Sequence, residues 1–365
     1  MVLLLTPNDV KGLVTMKEAA EAMEQGFLDW ARNRWLAELR QRVHSEDNVR
    51  LTVHIGAPST AAAMGVYIHP EKVVIHQNDV QSYAARGARV RIVYDSREGE
   101  LLSIQIGEME VKELPGVNNV VVVPTSCAAA VGTKWLARKD SRRVGILGSR
   151  GQAKGHLAAC KALIPTLETA VVYSPNPVHR AAFAAQMSEA LDMEVAAGTR
   201  TEDALEGVDI LLTVTNSNVP TFDGNLLEPG THVTTVVSSN KGLHERGFIT
   251  RPRREIDDAT LQRADIVVCN NIEQEKLDHT AVLWRTCEDG VIPWSKVWDI
   301  GQVMSGEVPG RTGDEQISVY KQNAFWGVGD QAIGRLLYEK AKAAGLGTTL
   351  DVDGFESRID SRDEP

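Results

Sequence analysis

The chain has 365 residues, 43% of them apolar, which is enough to bury a sizeable core and by default to form two domains. A formal net charge of −10 disfavours nucleic acid or an anionic membrane as the main partner. Four cysteines (Cys127, Cys160, Cys269, Cys287) show no paired spacing, which argues against a disulfide framework or a cysteine-rich metal site and suits a reducing cytoplasm.

The apolar run at residues 2–5 is too short for a signal h-region and is cut off by Pro7, Asn8 and Asp9, and no stretch is apolar for long enough to cross a bilayer. Met16, Ala19, Ala20, Met23, Phe27, Trp30 and Ala31 recur at helical spacing and predict an amphipathic helix over 15–39. From 49 to 123 the pattern is that of strands. Residues 89–95 alternate cleanly, 96–100 make a turn and 101–106 return, which is a hairpin in a mostly antiparallel sheet. A helix over 125–136 follows.

The next segment carries the strongest signal. A short apolar strand, 143–147, runs into Gly148-Ser149-Arg150-Gly151-Gln152-Ala153 and then into a helical run, 156–163. A glycine turn there lets backbone N–H groups and a helix N-terminus face a pyrophosphate. Such turns also occur without a nucleotide. Further buried strands at 169–174, 209–214, 232–237 and 265–269, separated by helices such as 179–191 and 260–264, predict a parallel sheet covered on both faces. Ligands of such sheets sit beyond the strand C-termini. Ser174, Thr215, Asn216 and Ser238 are therefore binding candidates, although ordinary turn chemistry accounts for Ser and Asn there as well. The second strand ends at Ser174-Pro175-Asn176, with no acid to repel a 2′-phosphate and Arg180 one helical turn beyond. Together with Arg150 this leans towards NADP(H) over NAD(H). The charged tail, 351–365, is expected to be disordered.

Several stretches resemble the ornithine cyclodeaminase and mu-crystallin family: 128–138, Gly148 to Ala153, 213–220, Gly306-Glu307-Val308-Pro309-Gly310-Arg311, 317–321 and Gly329-Asp330-Gln331-Ala332. The resemblance runs from the first helix to about Gly347. It implies a Rossmann-type doubly wound parallel sheet binding NAD or NADP over 125–319. It also implies a mostly antiparallel α+β domain for substrate binding and dimerisation over 1–124 with 320–350, a C-terminal helix (about 330–344) returning to that domain, and a homodimer. The implied chemistry is hydride transfer at an amine-bearing carbon, with an amino, keto or imino acid as small-molecule substrate.

The family pattern is also broken here. Its carboxylate-binding Arg falls at Pro124, which cannot donate a hydrogen bond. Its substrate Lys falls at Tyr67, its active-site Glu at His54, and its later acidic residue at Asn240 or Ser239. Arg42, with Arg40 as rival, remains as the carboxylate clamp. His54, Tyr67 and His69 are candidates for replacement acid–base chemistry or for structural roles. Lys321 and Asp330 match family positions, Asp330 reading as a helix cap. These departures favour an imine or ketimine reductase or an amino-acid dehydrogenase. The alternatives are a true cyclodeaminase and a weakly catalytic ligand-binding protein.

Overall fold

The structure, a computed structural model, describes residues 2–117, 121–237 and 241–352. Two eight-stranded sheets organise it. The first contains β1 (Val2–Leu5), β2 (Gln41–His44), β3 (Val49–Gly56), β4 (Ala63–Ile75), β5 (Gln81–Arg86), β6 (Val90–Asp95) and β7 (Leu101–Ile106). The expected hairpin is β6–β7, paired antiparallel. The strand pattern expected to continue to 123 stops at Ile106, and the next helix, Val122–Leu136, starts three residues earlier than its sequence signal.

The second sheet contains β8 (Arg143–Leu147), β9 (Thr169–Tyr173), β10 (Glu194–Ala197), β11 (Ile210–Thr213), β12 (His232–Thr235), β13 (Ile266–Cys269), β14 (Val297–Asp299) and β15 (Ser318–Lys321). Its order is β10-β9-β8-β11-β12-β15-β13-β14, and every pair is parallel. Successive side chains feed opposite cores: Ile210 and Leu212 pack into one, Leu211 into the other. That is the doubly wound arrangement, and it explains why these strands read as continuous apolar runs. The expected boundary between 319 and 320 falls inside β15, because Tyr320 and Lys321 pair with β12 and β13. A last strand, β16 (Thr348–Leu350), pairs with β1 and closes the first sheet at its edge.

The first long helix runs Met16–Arg32 with a capping box at Thr15. It ends seven residues before the expected 39. Asn33 leaves helical geometry (φ −142°), and its side chain accepts from the Trp35 N–H to open a short 3-10 turn instead. The C-terminal helix, Gly327–Ala343, packs against Met16–Arg32 and across β3, β4 and β6. The two helices touch at Gly26 and Gly329, where a Cβ on Gly26 would lie 2.6 Å from the Gly329 Cα. Among the described residues no helix is long and apolar enough to cross a membrane.

Asp330 is not the cap of that helix. The helix starts at Gly327, and the fully buried Asp330 carboxylate receives Arg91 Nε at 2.9 Å and Nη2 at 2.6 Å from β6. Asp330→Ala leaves the Arg91 charge buried without its carboxylate, and denaturant unfolding should show a loss of about 3–5 kcal/mol. Joint replacement by Arg91→Met and Asp330→Leu should recover most of it. A single variant within about 1 kcal/mol of the parent would show that the pair does not hold the helix in place.

Candidate active site

One cavity of about 1120 Å³ joins the C-terminal tips of the parallel sheet to the inner face of the first sheet. On the parallel side, β8 ends in Gly148, whose φ is +114°; a Cβ there would lie 2.2 Å from the Val214 carbonyl oxygen, so only glycine lets the tips of β8 and β11 close. Arg150 occupies the cap position of helix Gly151–Leu163 without a side-chain cap bond. First-turn N–H groups of this kind are the usual anion receivers of a helix. Ser149 and Ser174 hydroxyls lie 2.8 Å apart and join the tips of β8 and β9. Gly148, Ser149, Arg150, Gly151, Gln152, Ser174, Asn176, Thr215 and Asn216 all line the cavity.

Two expected contributors do not reach it. Ala153 is fully buried in the core beneath the turn. Arg180 is turned back on its own strand end, donating to the Ser174 carbonyl at 2.9 Å and lying over the Tyr173 ring. His179 and Thr201 line that end instead. Asn176 also caps helix Pro177–Leu191, accepting from the N–H groups of Val178 and His179. Ser238 and Asn240, with Ser239 and residues 353–365, lie outside the described residues.

Glu255 organises the floor, and no sequence signal points to it. Its carboxylate accepts from Thr215 N–H and hydroxyl, the hydroxyls of Thr213 and Thr235, and the N–H groups of Val236 and Val237. It thereby fixes the backbone that leaves β11 and β12, although the carboxylate itself is buried below the surface. Its partners come from two strands and their following loops, so no local motif marks it.

The opposite wall comes from β2, β3 and β4. Arg42 Nε donates to the Thr52 hydroxyl at 3.3 Å, and Arg50 forms an ion pair with Glu71. His69 Nδ1 lies 3.7 Å from Glu71, and its Nε2 lies 3.4 Å from His54 Nε2. His54 stacks on Trp326, centroids 3.7 Å apart and planes 12° from parallel. Arg42, Arg50, His54, His69, Glu71 and Trp326 line the cavity. Of the two rival arginines it is Arg42 that faces the cavity. Arg40 donates to the Asn323 carbonyl at 3.0 Å in a small adjoining pocket with Glu275, Asp278 and Lys321. Lys321 is buried there, donating to the carbonyls of Val237 and Gln322, and burial lowers its pKa.

Electrostatics corrects the acid–base expectation. Burial, then the neighbouring His69 and arginine charges, holds His54 well below the ordinary 6.5. Burial likewise pushes His69 down to about 3, with Arg50 and Arg42 adding to it against Glu71. Burial, the largest single influence, would raise Glu71, but the charge and hydrogen bond of Arg50 together with His69 and Arg42 outweigh it and hold the carboxyl at about 2. Both histidines are therefore neutral at physiological pH, hydrogen-bonding groups with no charge to give up. Tyr67 is not on the cavity wall. It is buried behind it, its hydroxyl 3.3 Å from Glu108, and burial with that carboxylate raises its pKa. Pro124 is buried inside helix Val122–Leu136 and offers no cation.

A profile of the ornithine cyclodeaminase/mu-crystallin family matches residues 2–345. Delta(1)-pyrroline-2-carboxylate reductase of Bacillus cereus is 25% identical over 355 residues, covering 96% of this chain and 99% of its own. The structure of the Thermococcus litoralis enzyme of that name, in complex with NADH and L-proline, is 25% identical, covers 95% of this chain and 100% of its own, and superposes with a TM-score of 0.77. An archaeal alanine dehydrogenase dimer with bound NAD is similar in fold at 22% identity, covering 96% of this chain and 99% of its own, with a TM-score of 0.76.

Four buried histidines, His54, His69, His156 and His232, are all held below 6.5, His156 at about 4. Folded they stay neutral, whereas in the unfolded chain they titrate near 6.5. Stability from this source is complete above 6.5 and is lost as pH falls towards the folded values. At pH 5.5 each costs on the order of 1.4 kcal/mol. Denaturant unfolding at pH 7.5, 6.5 and 5.5 should show this fall, and His156→Asn should flatten it by about one proton. A pH-independent midpoint over that range would contradict the neutral state of these rings.

Proposed function

The chain belongs to the ornithine cyclodeaminase/mu-crystallin family, and from that premise we propose that it is an NAD(P)-dependent oxidoreductase acting at an amine-bearing carbon, as an imine or ketimine reductase or an amino-acid dehydrogenase. The observation that carries this reading is the cavity that joins a phosphate-type glycine turn to an arginine-bearing wall. The turn fits a dinucleotide: Gly148 closes it as only glycine can, and Arg150 stands beside a helix N-terminus that lacks a side-chain cap. Gly148 to Gln152 would hold the pyrophosphate, with Ser174 and Asn176 at the adenosine end and Thr215 and Asn216 towards the nicotinamide. When bound, the dinucleotide supplies or accepts the hydride.

The remaining work falls to the chain's own residues. Arg42 pairs with the substrate carboxylate, replacing the clamp lost at Pro124. Its planar fork suits a carboxylate better than a point charge does. His54, stacked on Trp326, forms an uncharged flank that keeps the amine-bearing carbon in place. In reduction, hydride adds to the imine carbon and the nitrogen keeps or gains one proton. A protonated imine brings that proton with it, which suits walls whose histidines are neutral. Ser174 and Asn176, with no acid at the end of β9, favour NADP(H). Buried cysteines, all four of them free thiols, support a reducing compartment.

Residues 1–124 with the returning C-terminal helix form the substrate and dimerisation part in this reading. Its sheet is inverted in polarity: Val49, Leu51, Val53 and Ile55 of β3, Val66 and Ile68 of β4 and Ile92 of β6 face outward, half-buried at most, while Met64 and Tyr94 are exposed. An apolar outer face on an antiparallel sheet is the surface a second copy would cover. Light scattering after size exclusion should give a dimer for the parent and a monomer for Ile68→Glu. A monomeric parent would remove the homodimer from this reading.

Nicotinamide absorbance, followed with NADPH or NADH and a panel of cyclic imines and of keto acids with ammonium, tests the activity. Loss of reduced cofactor with at least one substrate is expected, with NADPH at least as effective as NADH. Arg42→Ala should lower kcat/KM for the acid by roughly 10–100-fold while the Kd for NADPH holds within about twofold. An unaltered kcat/KM would take the carboxylate clamp away from Arg42.

A further inference from the structure

We propose that Glu71 sets the tautomers of the His69–His54 pair, so that His54 offers the cavity a hydrogen-bond acceptor and the nitrogen it meets there is one that carries a proton. Glu71 is then a positioning residue that acts through two imidazoles. That the nitrogen belongs to an imine or amine rests on the oxidoreductase reading above; the tautomers themselves do not.

The register of the first sheet puts the three groups in line. Arg50 of β3 lies opposite Glu71 of β4, Thr52 opposite His69 and His54 opposite Tyr67. His69 and Glu71 therefore share a face two residues apart, and His54 is the diagonal neighbour of His69 on that face. All three are buried. Glu71 Oε2 lies 3.7 Å from His69 Nδ1, and His69 Nε2 lies 3.4 Å from His54 Nε2. The stack on Trp326 holds the His54 ring against turning.

Both rings are neutral, so each carries one proton on one of its two nitrogens. The contact between the Nε2 atoms needs a single proton: two would collide, and two lone pairs would repel. Two arrangements satisfy this. In the first, His69 is protonated at Nε2 and turns a bare Nδ1 towards Glu71. In the second, His69 is protonated at Nδ1, and its bare Nε2 accepts from the His54 Nε2–H. A carboxylate at 3.7 Å attracts an N–H and repels a lone pair, and burial leaves little water to screen it. Among the described residues His69 Nδ1 makes no hydrogen bond that would reverse this choice. The second arrangement is the one the geometry selects.

His54 then has its Nε2–H committed to His69 and one ring face committed to Trp326. Nδ1 is the polar atom left for whatever fills the cavity that His54 lines, and in this tautomer it is a bare acceptor. An iminium or ammonium N–H satisfies it. A ketone oxygen, which brings only lone pairs, does not. The pair thus separates an imine nitrogen from a keto oxygen while neither ring is charged.

Long-range proton–nitrogen correlation on protein labelled at its nine histidines reads the tautomers directly, with His54→Gln and His69→Gln assigning the signals. His69 should show a protonated Nδ1 and a bare Nε2, and His54 the reverse. Glu71→Gln keeps the shape and an acceptor for Arg50, but offers an N–H to His69 Nδ1. Both tautomers should invert, and kcat/KM for a cyclic imine should fall roughly 10–100-fold, the scale of a hydrogen bond to a charged group. NADPH affinity, read by nicotinamide fluorescence, should hold within about twofold. Glu71→Asp should keep the parent tautomers and more of the rate. If Glu71→Gln does not fold, the parent spectrum decides alone. If no imine is reduced, the oxidoreductase reading falls and the tautomers of parent and variant still decide this one. Reversed tautomers or a charged ring in the parent, a Glu71→Gln variant that loses rate with its tautomers unaltered, or inverted tautomers with an unaltered imine rate would each overturn it.

Discussion

The first sheet turns its polar side chains inward, and that constraint shapes the rest of the molecule. Side chains alternate along a strand, so Arg50, Thr52 and His54 of β3, Tyr67, His69 and Glu71 of β4, Arg91 of β6 and Ser103 and Gln105 of β7 are all buried together. Burying such groups is costly unless each finds a partner. Arg50 meets Glu71, Arg91 meets Asp330 and Gln105, Gln105 reaches the Gly334 carbonyl, and Tyr67 meets Glu108, itself paired with Arg89. Two of those partners sit on the C-terminal helix, so the polar face dictates where that helix must lie. Gly26 and Gly329 let it come close enough to do so.

The parallel sheet is built the other way. Its strands are apolar on both faces and can offer chemistry only at their C-terminal tips. Glu255 draws the tips of β11 and β12 together, and the Ser149–Ser174 contact does the same for β8 and β9. The cavity exists where these tips meet the polar inner face of the first sheet. One wall supplies the glycine turn and fixed backbone, while the other supplies Arg42, Arg50 and uncharged imidazoles. Neither wall alone contains both.

How much of this was legible in the sequence follows from the range of each signal. Local periodicity marked the β6–β7 hairpin, the five apolar parallel strands and the glycine turn at 148, because each is written within a few residues. The choice of Arg42 over Arg40 was not legible: two residues apart, they share one face by alternation, and what separates them is that β2 starts at Gln41 and pairs with β3 so that Arg42 lies opposite Thr52. The end of the first helix was hidden, since nothing in the pattern before 39 marks Asn33 as the residue that starts a new turn. Asp330 looked like a cap because its role is set by Arg91, 239 residues away. Tyr67 shares its face with His69, yet it lies behind the wall rather than on it, a difference of depth that alternation cannot express. Glu255 was invisible for the same reason as Asp330: all of its partners are distant in the chain.

Because the two walls belong to different sheets, the distance between the glycine turn and Arg42 is set by whatever holds the sheets in register. The pair of long helices does this at the back. At the front the tip between β4 and β5 ties the sheets together. Asp79, in left-handed backbone, accepts from the Thr250 N–H and hydroxyl and the Arg251 N–H, and the Asn78 carbonyl accepts from Asn218. Val73 and Ile75 add an apolar contact with Leu243 and Ile249. These links are few, partly exposed at the front and deeply buried at the back. At the back the attachment is the packing of helix Met16–Arg32 against the helices Val122–Leu136 and Gly151–Leu163 of the parallel sheet, a buried apolar contact that water cannot replace as it can the exposed hydrogen bonds at the front.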